Sequence, residues 1–372
     1  MIPCLNEEET VHICVWKAIT FLNENGIKGE VIVSDNGSTD RSIERARAAG
    51  AKLFHTDDKG YGAALMNGIN HAQGKFIIMA DADDSYDFLE IFPLYEKLKN
   101  GADMVIGNRF ANPIERGAMP FLHKYLGNPV LSFIGKVFFK NNVSDFHCGM
   151  RGFTKDAFDK LDLQTTGMEF ASEMIVKSTL NDFNIEQVPV KLYRDGRSGK
   201  GHLNTWGDGW RHLRFLLLYS PRWLFLYPGI ILMMIGFLVN LWALPNPNQT
   251  LDIHTILFSV GAILIGFQSV FFAIATKAFA VHEKLVPRLS WLESLIDKMT
   301  LERALRIGGV FVLLGIGGFI YLFVIWLNNY FFELGIKVTM RIAIFSFASA
   351  VFGFQLIFSF FFYSFLKLQI RK

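Results

Sequence analysis

Hydrophobic and polar positions are distributed differently in the two halves of the chain. Up to about residue 205, short apolar runs alternate with amphipathic stretches, as in a soluble α/β domain. Farther on, four long apolar runs contain no charged side chain, and each exceeds the roughly 20 residues that a helix needs to cross a bilayer. The four predicted membrane spans are residues 223–244, 255–276, 307–332 and 342–366.

The first 205 residues predict a mostly parallel sheet, because short strand-like runs alternate with helical stretches. The predicted strands are residues 30–34, 75–81, 102–110 and 185–193, and the predicted helices are residues 7–25, 40–49, 62–72 and 88–99. Ligands bind such open sheets at the carboxyl ends of the strands. We therefore expect chemistry at "SDNGSTD" (34–40) and "ADADDSYD" (80–87).

The first residues, "MIPCLNEEETV", look like the last part of a strand followed at once by the start of a helix. A strand in a parallel sheet usually has about five or six residues. We expect the natural chain to start several residues upstream of Met1, which mass spectrometry of the native protein would test.

Charge and cysteine usage narrow the class of protein. The net charge of +3 gives no argument for nucleic-acid binding, and no nucleic-acid partner is expected. The three cysteines, Cys4, Cys14 and Cys148, are odd in number and lack the spacing of metal ligands. They fit reduced thiols in a cytosolic domain, and no apolar signal segment opens the chain.

The placement of Lys and Arg predicts an integral membrane protein whose soluble domain and both termini face the cytoplasm. Basic residues precede the first span and lie between the second and third, whereas the link between the first and second has none. Lys337 and Arg341, on the outer side, weaken this pattern only slightly. The basic positions are Arg211, Arg214, Arg222, Lys277, Lys284, Arg288, Lys298, Arg303, Arg306, Lys367, Arg371 and Lys372.

Between the soluble and membrane parts lies a predicted interfacial amphipathic helix. Trp206 and Trp210 stand beside Arg211 and Arg214 and are followed by apolar residues, a composition that favours the surface of a bilayer. The predicted domains are therefore residues 1–205, 206–222 and 223–372.

The segment "FIIMADADDSYD" carries the candidate metal site. Asp81 and Asp83 follow a predicted buried strand, and Mg²⁺ or Mn²⁺ commonly takes one or two carboxylates together with phosphate oxygens. Alone, the segment could equally be an acidic turn. Asp84 and Asp87 are interpreted as a local turn and a helix cap.

Three motifs in order, "PCLNEEE" (3–9), "VIVSDNGSTD" (31–40) and the D-x-D, resemble family 2 glycosyltransferases of the GT-A fold. The segments "KGYGAALMNGI", "ADMVIGNRF", "VSDFHCGMRGF" and "GMEFASEM" are similar to enzymes that load a sugar onto a polyprenyl phosphate, the dolichol-phosphate mannose and glucose synthases and their bacterial relatives. The resemblance covers about residues 1–220 and implies a GT-A α/β catalytic domain before the four spans.

For the donor, the resemblance implies a nucleotide-sugar site and a Mg²⁺ or Mn²⁺ ion on its diphosphate. The third metal-side position, often Gln in the family, is Ser85. The structural alternative for Asp35 and Asn36 is a turn that leads into a helix. The implied contacts are Pro3, Asn6, Glu7 and Asp35 to base and ribose, Lys59 and Gly62 near the donor, and Asp81 and Asp83 to the metal.

For the acceptor, Arg109 matches a family arginine that grips the lipid phosphate, and Lys124 is the expected substitute for a second one. A basic loop before the membrane adds further candidates, with plain membrane-surface charge as the alternative. Its basic residues are Arg194, Arg197 and Lys200.

Glu169 and Glu173 lie where the resembled family has acidic residues near the acceptor. A solvated helix face is the alternative, at least as applicable to Glu173, so Glu169 is preferred. The predicted catalytic residues are Asp83, Arg109 and Glu169.

The resemblance implies inverting transfer of one sugar from a UDP- or GDP-linked donor to a polyprenyl phosphate at the bilayer. One alternative is a processive polysaccharide synthase, whose Gln-x-x-Arg-Trp is approximated by Tyr219, Arg222 and Trp223. Another is a four-span lipid-sugar transporter with a degenerate nucleotide-sugar domain. The extra spans leave room for a homo-oligomer.

Overall fold

The structure is a computed structural model in which the chain forms two compact units, Met1–Leu216 and Leu217–Lys372. Lys200 and most of the basic link between the second and third spans lie outside the described residues. The described residues are 1–198, 205–244, 252–282, 300–329 and 336–366.

The described part of the first unit contains seven strands in two hydrogen-bonded sheets. One sheet is parallel with the order β1-β2-β3, and the other has the order β4-β6-β5-β7, with β6 antiparallel to both of its neighbours. The strands are β1 Ile2–Cys4, β2 Ile32–Asp35, β3 Lys52–His55, β4 Phe76–Met79, β5 Met104–Asn108, β6 Arg151–Thr154 and β7 Ile185–Pro189.

Two hydrogen bonds connect the sheets. The amino group of Met1 donates to the carbonyl oxygen of Ile78 at 2.8 Å, and Ala80 N–H donates to the Met1 carbonyl oxygen at 3.4 Å. This is the pattern of a parallel pair, so β1 runs beside β4 in the same direction. The predicted mostly parallel α/β sheet is confirmed, with β6 as its antiparallel member.

Strands β3 and β6 were not predicted. Strand β3 lies at the end of its sheet and has only two half-buried apolar residues between exposed Lys52 and His55, so it has no long apolar run. Strand β6 contains Arg151 and Gly152 in a fully buried setting, which no hydrophobic pattern reveals.

Helices cover the sheets, with α3 packed on β1 and β2 and α4 packed on β5 and β6. The helix predicted from residue 7 begins at Val11, because Asn6 has a left-handed φ of 55° and the chain turns there first. Helices α5, α6 and α7 were missed. The helices are α1 Val11–Glu24, α2 Ser42–Ala48, α3 Tyr61–His71, α4 Phe92–Lys99, α5 Asn128–Phe139, α6 Lys155–Leu161, α7 Phe170–Leu180 and α8 Thr205–Leu218.

Helix α8 occupies most of the stretch predicted as an interfacial helix, and it ends four residues early, at Leu218. Its position at a membrane surface and the three-part domain division stay predictions. The three cysteines are buried and free, as expected.

The second unit confirms the four predicted spans, so the chain is an integral membrane protein. Four helices are long and apolar enough to cross a bilayer: Arg222–Ala243, Ile253–Val281, Leu301–Asn328 and Val338–Leu366. The corresponding helices are α9 Tyr227–Ala243, which follows a π-helical turn at Arg222–Leu226, then α10 Asp252–His282, α11 Leu301–Asn328 and α12 Ile336–Leu366.

Candidate active site

A cavity of about 970 Å³ lies within the first unit, at the carboxyl ends of several strands. Part of its lining is polar and comes from the ends of β1, β2, β4 and β5. Another part is apolar and comes from the segment before α5, from α5 itself and from α8. The polar lining includes Glu7, Asn36, Asp81, Asp83 and Arg109, and the apolar lining includes Leu122, Leu126, Val130, Trp206 and Trp210.

Asp81 and Asp83 both line this cavity directly after β4. The hydroxyl of Tyr61 donates a hydrogen bond of 2.8 Å to Oδ1 of Asp81. Burial is the main cause that raises the pKa of Asp81 to about 6; the charge of Asp83 also raises it, and the Tyr61 hydrogen bond opposes the rise. A β-carbon at position 149 would collide with the Asp81 carboxylate. Gly149, which has no side chain, therefore allows the backbone at this position to lie directly beside Asp81.

Asp83 is held through both carboxylate oxygens. The backbone N–H and the hydroxyl of Ser85 donate to Oδ1 at 3.0 and 2.6 Å, and Arg197 donates to Oδ2 at 3.3 Å. Ser85, which stands where the resembled family often has Gln, therefore orients the second carboxylate of the D-x-D.

The other two acids of the cluster are a turn residue and a cap, as predicted. Asp84 has a left-handed φ of 59° and pairs with Lys17 at 2.8 Å. Asp87 accepts a hydrogen bond from Leu89 N–H at the start of the short 3-10 helix Phe88–Glu90. The four-acid cluster thus divides into two cavity residues and two structural ones.

Arg197 connects the N-terminal motif with the D-x-D. Its guanidinium donates to Oε1 of Glu7 at 2.7 Å, to Oδ2 of Asp83 at 3.3 Å and to Asp195. Burial is the main cause that raises the pKa of Glu7 to about 7; Arg197 acts against this rise and Asp83 adds to it. The sequence predicts Arg197 as an acceptor ligand, whereas the structure places it among carboxylates predicted for the donor.

The segment that carries Arg197, residues 193–198, is hydrogen-bonded both to the D-x-D turn and to the N-terminal motif. Backbone hydrogen bonds join it to the D-x-D turn, and Ser198 joins it to the N-terminal motif. The contacts are Tyr193 N to Ser85 O at 3.0 Å, Gly196 N to Asp83 O at 3.0 Å, and Ser198 N to Glu9 Oε2 at 2.6 Å.

Asp35 organises the turn after β2. Its carboxylate accepts hydrogen bonds from the N–H groups of Gly37 and Ser38, both at 3.0 Å, and lies 2.9 Å from Nδ1 of His55. Burial alone would raise the pKa of Asp35, but hydrogen bonds led by Ser38 lower it overall. The turn interpretation is confirmed, while a contact with the donor stays a prediction because Asn36, not Asp35, lines the cavity.

Asn6 joins the first two motifs. Its side-chain oxygen accepts a hydrogen bond from Thr39 N–H at 2.8 Å, and its own N–H donates to Oγ of Ser38 at 3.0 Å. The residues of the N-terminal motif that line the cavity are Pro3, Cys4, Leu5 and Glu7. The hydrogen bonds of Asn6 therefore fix the conformation of the loop after β1, and other residues of this loop line the cavity.

Lys59 and Gly62, both predicted near the donor, occupy different places. Lys59 lines the cavity, and its Nζ donates to the carbonyl oxygen of Asn36 at 3.3 Å. Gly62 lies outside the cavity lining, and a β-carbon there would lie 2.9 Å from Cβ of Phe170. Gly62 thus permits close packing of α3 against the start of α7.

Arg109 lines the cavity and is paired with a carboxylate that the sequence did not single out. Its Nε and Nη2 donate to Oδ2 and Oδ1 of Asp145 at 2.6 and 2.7 Å, and Asp145 is fully buried. Two parallel charge-assisted hydrogen bonds fix the guanidinium plane. Asp145 therefore sets the orientation of Arg109 in the cavity, and the acceptor role of Arg109 stays a prediction.

Of the other predicted acceptor residues within the described part of the chain, Lys124 and Arg194 do not line the cavity with Arg109. Nζ of Lys124 lies 5.5 Å from the ring centroid of Tyr125, and its neighbour His123 lines the cavity instead. Arg194 is exposed and lies outside the lining, while Lys200 is outside the described residues.

Glu169 and Glu173 flank the start of α7 in different settings. Oε2 of Glu169 is buried without a partner among the described residues, and the side chain does not line the cavity. Glu173 is fully buried, pairs with Lys177 at 2.9 Å and accepts a hydrogen bond from Thr165 N–H at 2.8 Å. The solvated helix face considered for Glu173 is wrong, because its carboxylate fixes the loop before the helix.

Sequence reasoning missed Arg151 and His147, which line the cavity together with His212. Arg151 is fully buried and donates from Nε, Nη1 and Nη2 to three backbone carbonyl oxygens at 2.6–2.8 Å. The ring centroids of His147 and His212 lie 4.2 Å apart in an edge-to-face pair. Arg151 and His147 belong to the quoted segment "VSDFHCGMRGF", which was the available signal.

The carboxylates fit a divalent cation that completes its shell from a substrate. Among the described residues no group of three or more His, Cys, Asp or Glu side chains could hold a metal. Mg²⁺ typically binds through one or two carboxylates plus substrate phosphates. The repulsion and burial that raise the pKa of Asp81 are conditions that a cation between Asp81 and Asp83 would relieve.

A mostly parallel α/β sheet with Asp81 and Asp83 at its carboxyl edge, in a chain with four membrane spans, is the arrangement expected of a membrane-bound glycosyltransferase of the GT-A type. Residues 1–162 match the family described as "Glycosyl transferase family 2", and residues 274–367 match "Glycosyltransferase family 2 C-terminal transmembrane region". The chain belongs to glycosyltransferase family 2.

Curated relatives agree with this membership. The low-salt glycan biosynthesis hexosyltransferase Agl6 of Haloferax volcanii is 36% identical over 364 residues, which are 96% of this chain and 86% of the relative. A dolichyl-phosphate hexose transferase of the same organism is 27% identical over 183 residues, 49% of this chain and 77% of the relative. The dolichol-phosphate mannosyltransferase of Pyrococcus furiosus is 26% identical over 184 residues, 48% and 51% of the two chains.

Among solved structures, the chain is similar to glucosyl-3-phosphoglycerate synthase from Mycobacterium tuberculosis in complex with Mn²⁺, UDP and glucosyl-3-phosphoglycerate. The TM-score is 0.48 and the sequence identity 20%, and the match covers 59% of this chain and 78% of that one.

Proposed function

We propose that this protein transfers one hexose from a nucleoside-diphosphate sugar to a polyprenyl phosphate and releases a lipid-linked monosaccharide. One observation carries the proposal: a single cavity is lined both by the carboxylates Asp81 and Asp83 and by the apolar side chains Leu122, Leu126 and Trp210. A polar donor and an isoprenoid acceptor need these two kinds of surface in one site. Relatives named for dolichyl-phosphate hexose transfer support the same acceptor class.

On the donor side, the loops after β1 and β2 would receive the nucleoside. Pro3, Glu7 and Asn36 line the cavity there. Asn36 is held in place because its side-chain oxygen accepts a hydrogen bond from Gly60 N–H at 2.8 Å. Asp35 and Asn6 would act by shaping these loops.

Asp81 and Asp83 would hold Mg²⁺ or Mn²⁺ on the donor diphosphate. The bound ion would supply electrostatic stabilisation of the charge that develops on the departing nucleoside diphosphate. Ser85 keeps the second carboxylate oriented, and the Tyr61 hydroxyl keeps the first one oriented.

The acceptor needs little acid–base help. A phosphate monoester has a second pKa near 6, so most of it is dianionic at neutral pH. Its oxygen would attack the anomeric carbon and form the new C–O bond as the bond to the diphosphate oxygen breaks, which inverts the anomeric centre. Arg109, oriented by Asp145, would hold the attacking phosphate.

The two termini and the catalytic unit would lie on the cytoplasmic side, where nucleotide sugars are made available. The distribution of Lys and Arg around the spans supports this orientation. Protease accessibility of the catalytic unit in sealed inside-out and right-side-out vesicles tests it. Cleavage in the right-side-out vesicles would contradict it.

The direct test incubates the detergent-purified chain with Mn²⁺ or Mg²⁺, a polyprenyl phosphate and a panel of UDP- and GDP-hexoses, and detects products by mass spectrometry. We expect one lipid-linked monosaccharide. Asp83→Asn should reduce its formation at least a hundredfold, consistent with lost transition-state charge stabilisation, whereas Asp87→Asn should retain it. A long polymer would favour a processive synthase, and no lipid-linked sugar from any donor would overturn the proposal.

A further inference from the structure

His147 is a cavity-lining side chain whose hydrogen-bonding groups are unused. Both ring nitrogens are buried and have no partner among the described residues. A buried donor and acceptor in this state cost free energy unless a polar ligand or water completes them. The ring itself is well supported, because it packs edge-to-face on His212, whose Nδ1 lies 2.9 Å from Oγ of Ser172.

The surroundings of this ring favour an anion. Burial is the main cause that lowers the pKa of His147 well below its usual range, and the basic groups of His212, Arg109 and Arg151 lower it further. The ring is therefore neutral at pH 7, with one N–H donor and one nitrogen acceptor. A positive potential around an N–H donor attracts a phosphate oxygen more strongly than a neutral hydroxyl.

Most guanidinium nitrogens of the two neighbouring arginines, Arg151 and Arg109, already donate hydrogen bonds within the protein. Arg151 donates hydrogen bonds from Nε, Nη1 and Nη2 to the carbonyl oxygens of Cys148, Ala171 and Phe146. Arg109 donates from Nε and Nη2 to the carboxylate of Asp145. An anion at this part of the cavity would thus meet positive charge from both arginines, but few of their N–H groups.

We propose that His147 donates a hydrogen bond to the phosphate of the lipid acceptor, as a binding residue that supplements Arg109. This inference rests on the proposed function and assigns one acceptor contact within it. His147 would then make the protein bind a prenyl phosphate more tightly than an uncharged prenyl alcohol. Only the phosphate is attracted by the positive charges around the His147 N–H that donates to it.

The test compares binding of farnesyl phosphate and farnesol to the detergent-purified full chain by calorimetry. The ratio of the two dissociation constants isolates the contribution of the phosphate. His147→Phe keeps an aromatic ring against His212 and removes both nitrogens. In this variant we expect the preference for farnesyl phosphate over farnesol to be about ten- to a hundredfold smaller, the range for one hydrogen bond to a charged group. Binding of farnesol should be unchanged.

Two further variants make the result specific. His147→Gln keeps an amide donor and should retain most of the preference. His71→Phe removes an exposed histidine on α3 that stacks on Phe54 outside the cavity, and it should behave as the unmodified protein. If His147→Phe fails to fold, comparing His147→Gln with His147→Leu answers the same question.

The outcomes separate the two proposals. A phosphate preference that survives in both His147→Phe and His147→Leu would show that His147 only packs against His212, and would overturn the inference while leaving the proposed function intact. Absence of any phosphate preference in the unmodified protein would instead overturn the proposed acceptor class.

Discussion

The guanidinium of Arg197 lies 3.3 Å from Oδ2 of Asp83, in the D-x-D, although 114 residues separate the two along the chain. The same guanidinium lies 2.7 Å from Oε1 of Glu7. One basic side chain therefore compensates two carboxylates of the candidate donor site. A divalent cation at Asp83 would meet this positive charge and compete with it for the same oxygen.

Replacing Arg197 should therefore strengthen binding of a cation in the absence of nucleotide. For Arg197→Gln we expect Mn²⁺ affinity to rise about five- to tenfold, since a unit charge at this distance is worth about 1 kcal/mol or more after partial solvent screening. Electron paramagnetic resonance of free Mn²⁺ in titrations of the full chain measures the change.

The matched control is Arg194→Gln, in the same segment. Arg194 is exposed, and its backbone N–H donates a hydrogen bond to Oε2 of Glu115 at 3.2 Å. Its replacement should leave Mn²⁺ binding unchanged. Equal or weaker affinity in Arg197→Gln would mean that the guanidinium supports the cation site instead of competing with it.

Cation binding should also depend on pH through Asp81. Burial, followed by the charge of Asp83, raises the pKa of this carboxyl to about 6. Because a metal ligand must be deprotonated, Mn²⁺ affinity should fall below pH 6, by up to about tenfold per pH unit. Tyr61→Phe removes a hydrogen bond that favours the charged form, so the midpoint should move to higher pH. The control is Tyr95→Phe, whose ring packs on Phe76 away from Asp81.

The raised pKa of Asp81 also affects the folding stability of the protein when no cation is bound. The pKa of Asp81 in the folded protein, about 6, lies above its ordinary value of 3.8. The folded state therefore binds the proton more tightly, and this contribution to stability is complete below about pH 4 and is lost as pH rises through 6. Adding Mn²⁺ should restore thermal stability above pH 6 but not at pH 4. A Mn²⁺ effect of equal size at both pH values would contradict the assignment.

The buried pair of Glu173 and Lys177 should matter for folding. The two groups lie 2.9 Å apart with side-chain exposures of 0% and 5%. Glu173→Gln leaves Lys177 buried without its counter-charge, which typically costs about 3–5 kcal/mol. For a unit of this size, the melting temperature of the purified chain should fall by about 10 °C.

An exposed pair provides the comparison. Glu90 and Lys191 lie 2.7 Å apart, with exposures of 47% and 54%. Solvent screening limits such a pair to roughly 1 kcal/mol or less, so Glu90→Gln should shift the melting temperature by no more than about 3 °C. Similar shifts in the two variants would remove the structural role assigned to Glu173.

The sequence predicted the part of the cavity around Asp81 and Asp83 more completely than the part around Arg109. Asp81 and Asp83 were identified because acids follow an apolar strand, and Asp84 and Asp87 were separated from them by local turn and cap chemistry. These signals are local. The pairing of Arg197 with Glu7 spans 190 residues, and no spacing rule connects such distant positions.

Buried basic residues explain most of what was missed. Arg151 occupies the centre of a sheet and satisfies its charge with backbone carbonyl oxygens, so strand β6 looks polar in the sequence. The role of Asp145 likewise depends on its pairing with Arg109, 36 residues away along the chain. Apolar patterning correctly predicted the four spans, because membrane helices have a length requirement that is independent of tertiary contacts.

The glycines of "GGVFVLLGIGG" in α11 allow a matched test of packing in the membrane unit. A β-carbon at Gly308 would lie 2.8 Å from the carbonyl oxygen of Gly353 and 2.6 Å from Cγ1 of Ile357, both on α12, whereas one at Gly309 would have nothing within 4 Å. Gly308→Ala should push α11 and α12 apart, and overpacking of this kind typically costs about 1–3 kcal/mol. Gly309→Ala should instead stabilise α11 by roughly 0.5–1 kcal/mol, because alanine loses less backbone entropy in a helix. Thermal unfolding of the detergent-purified variants should therefore give shifts of opposite sign, and shifts of the same sign would mean that close α11–α12 contact does not depend on Gly308.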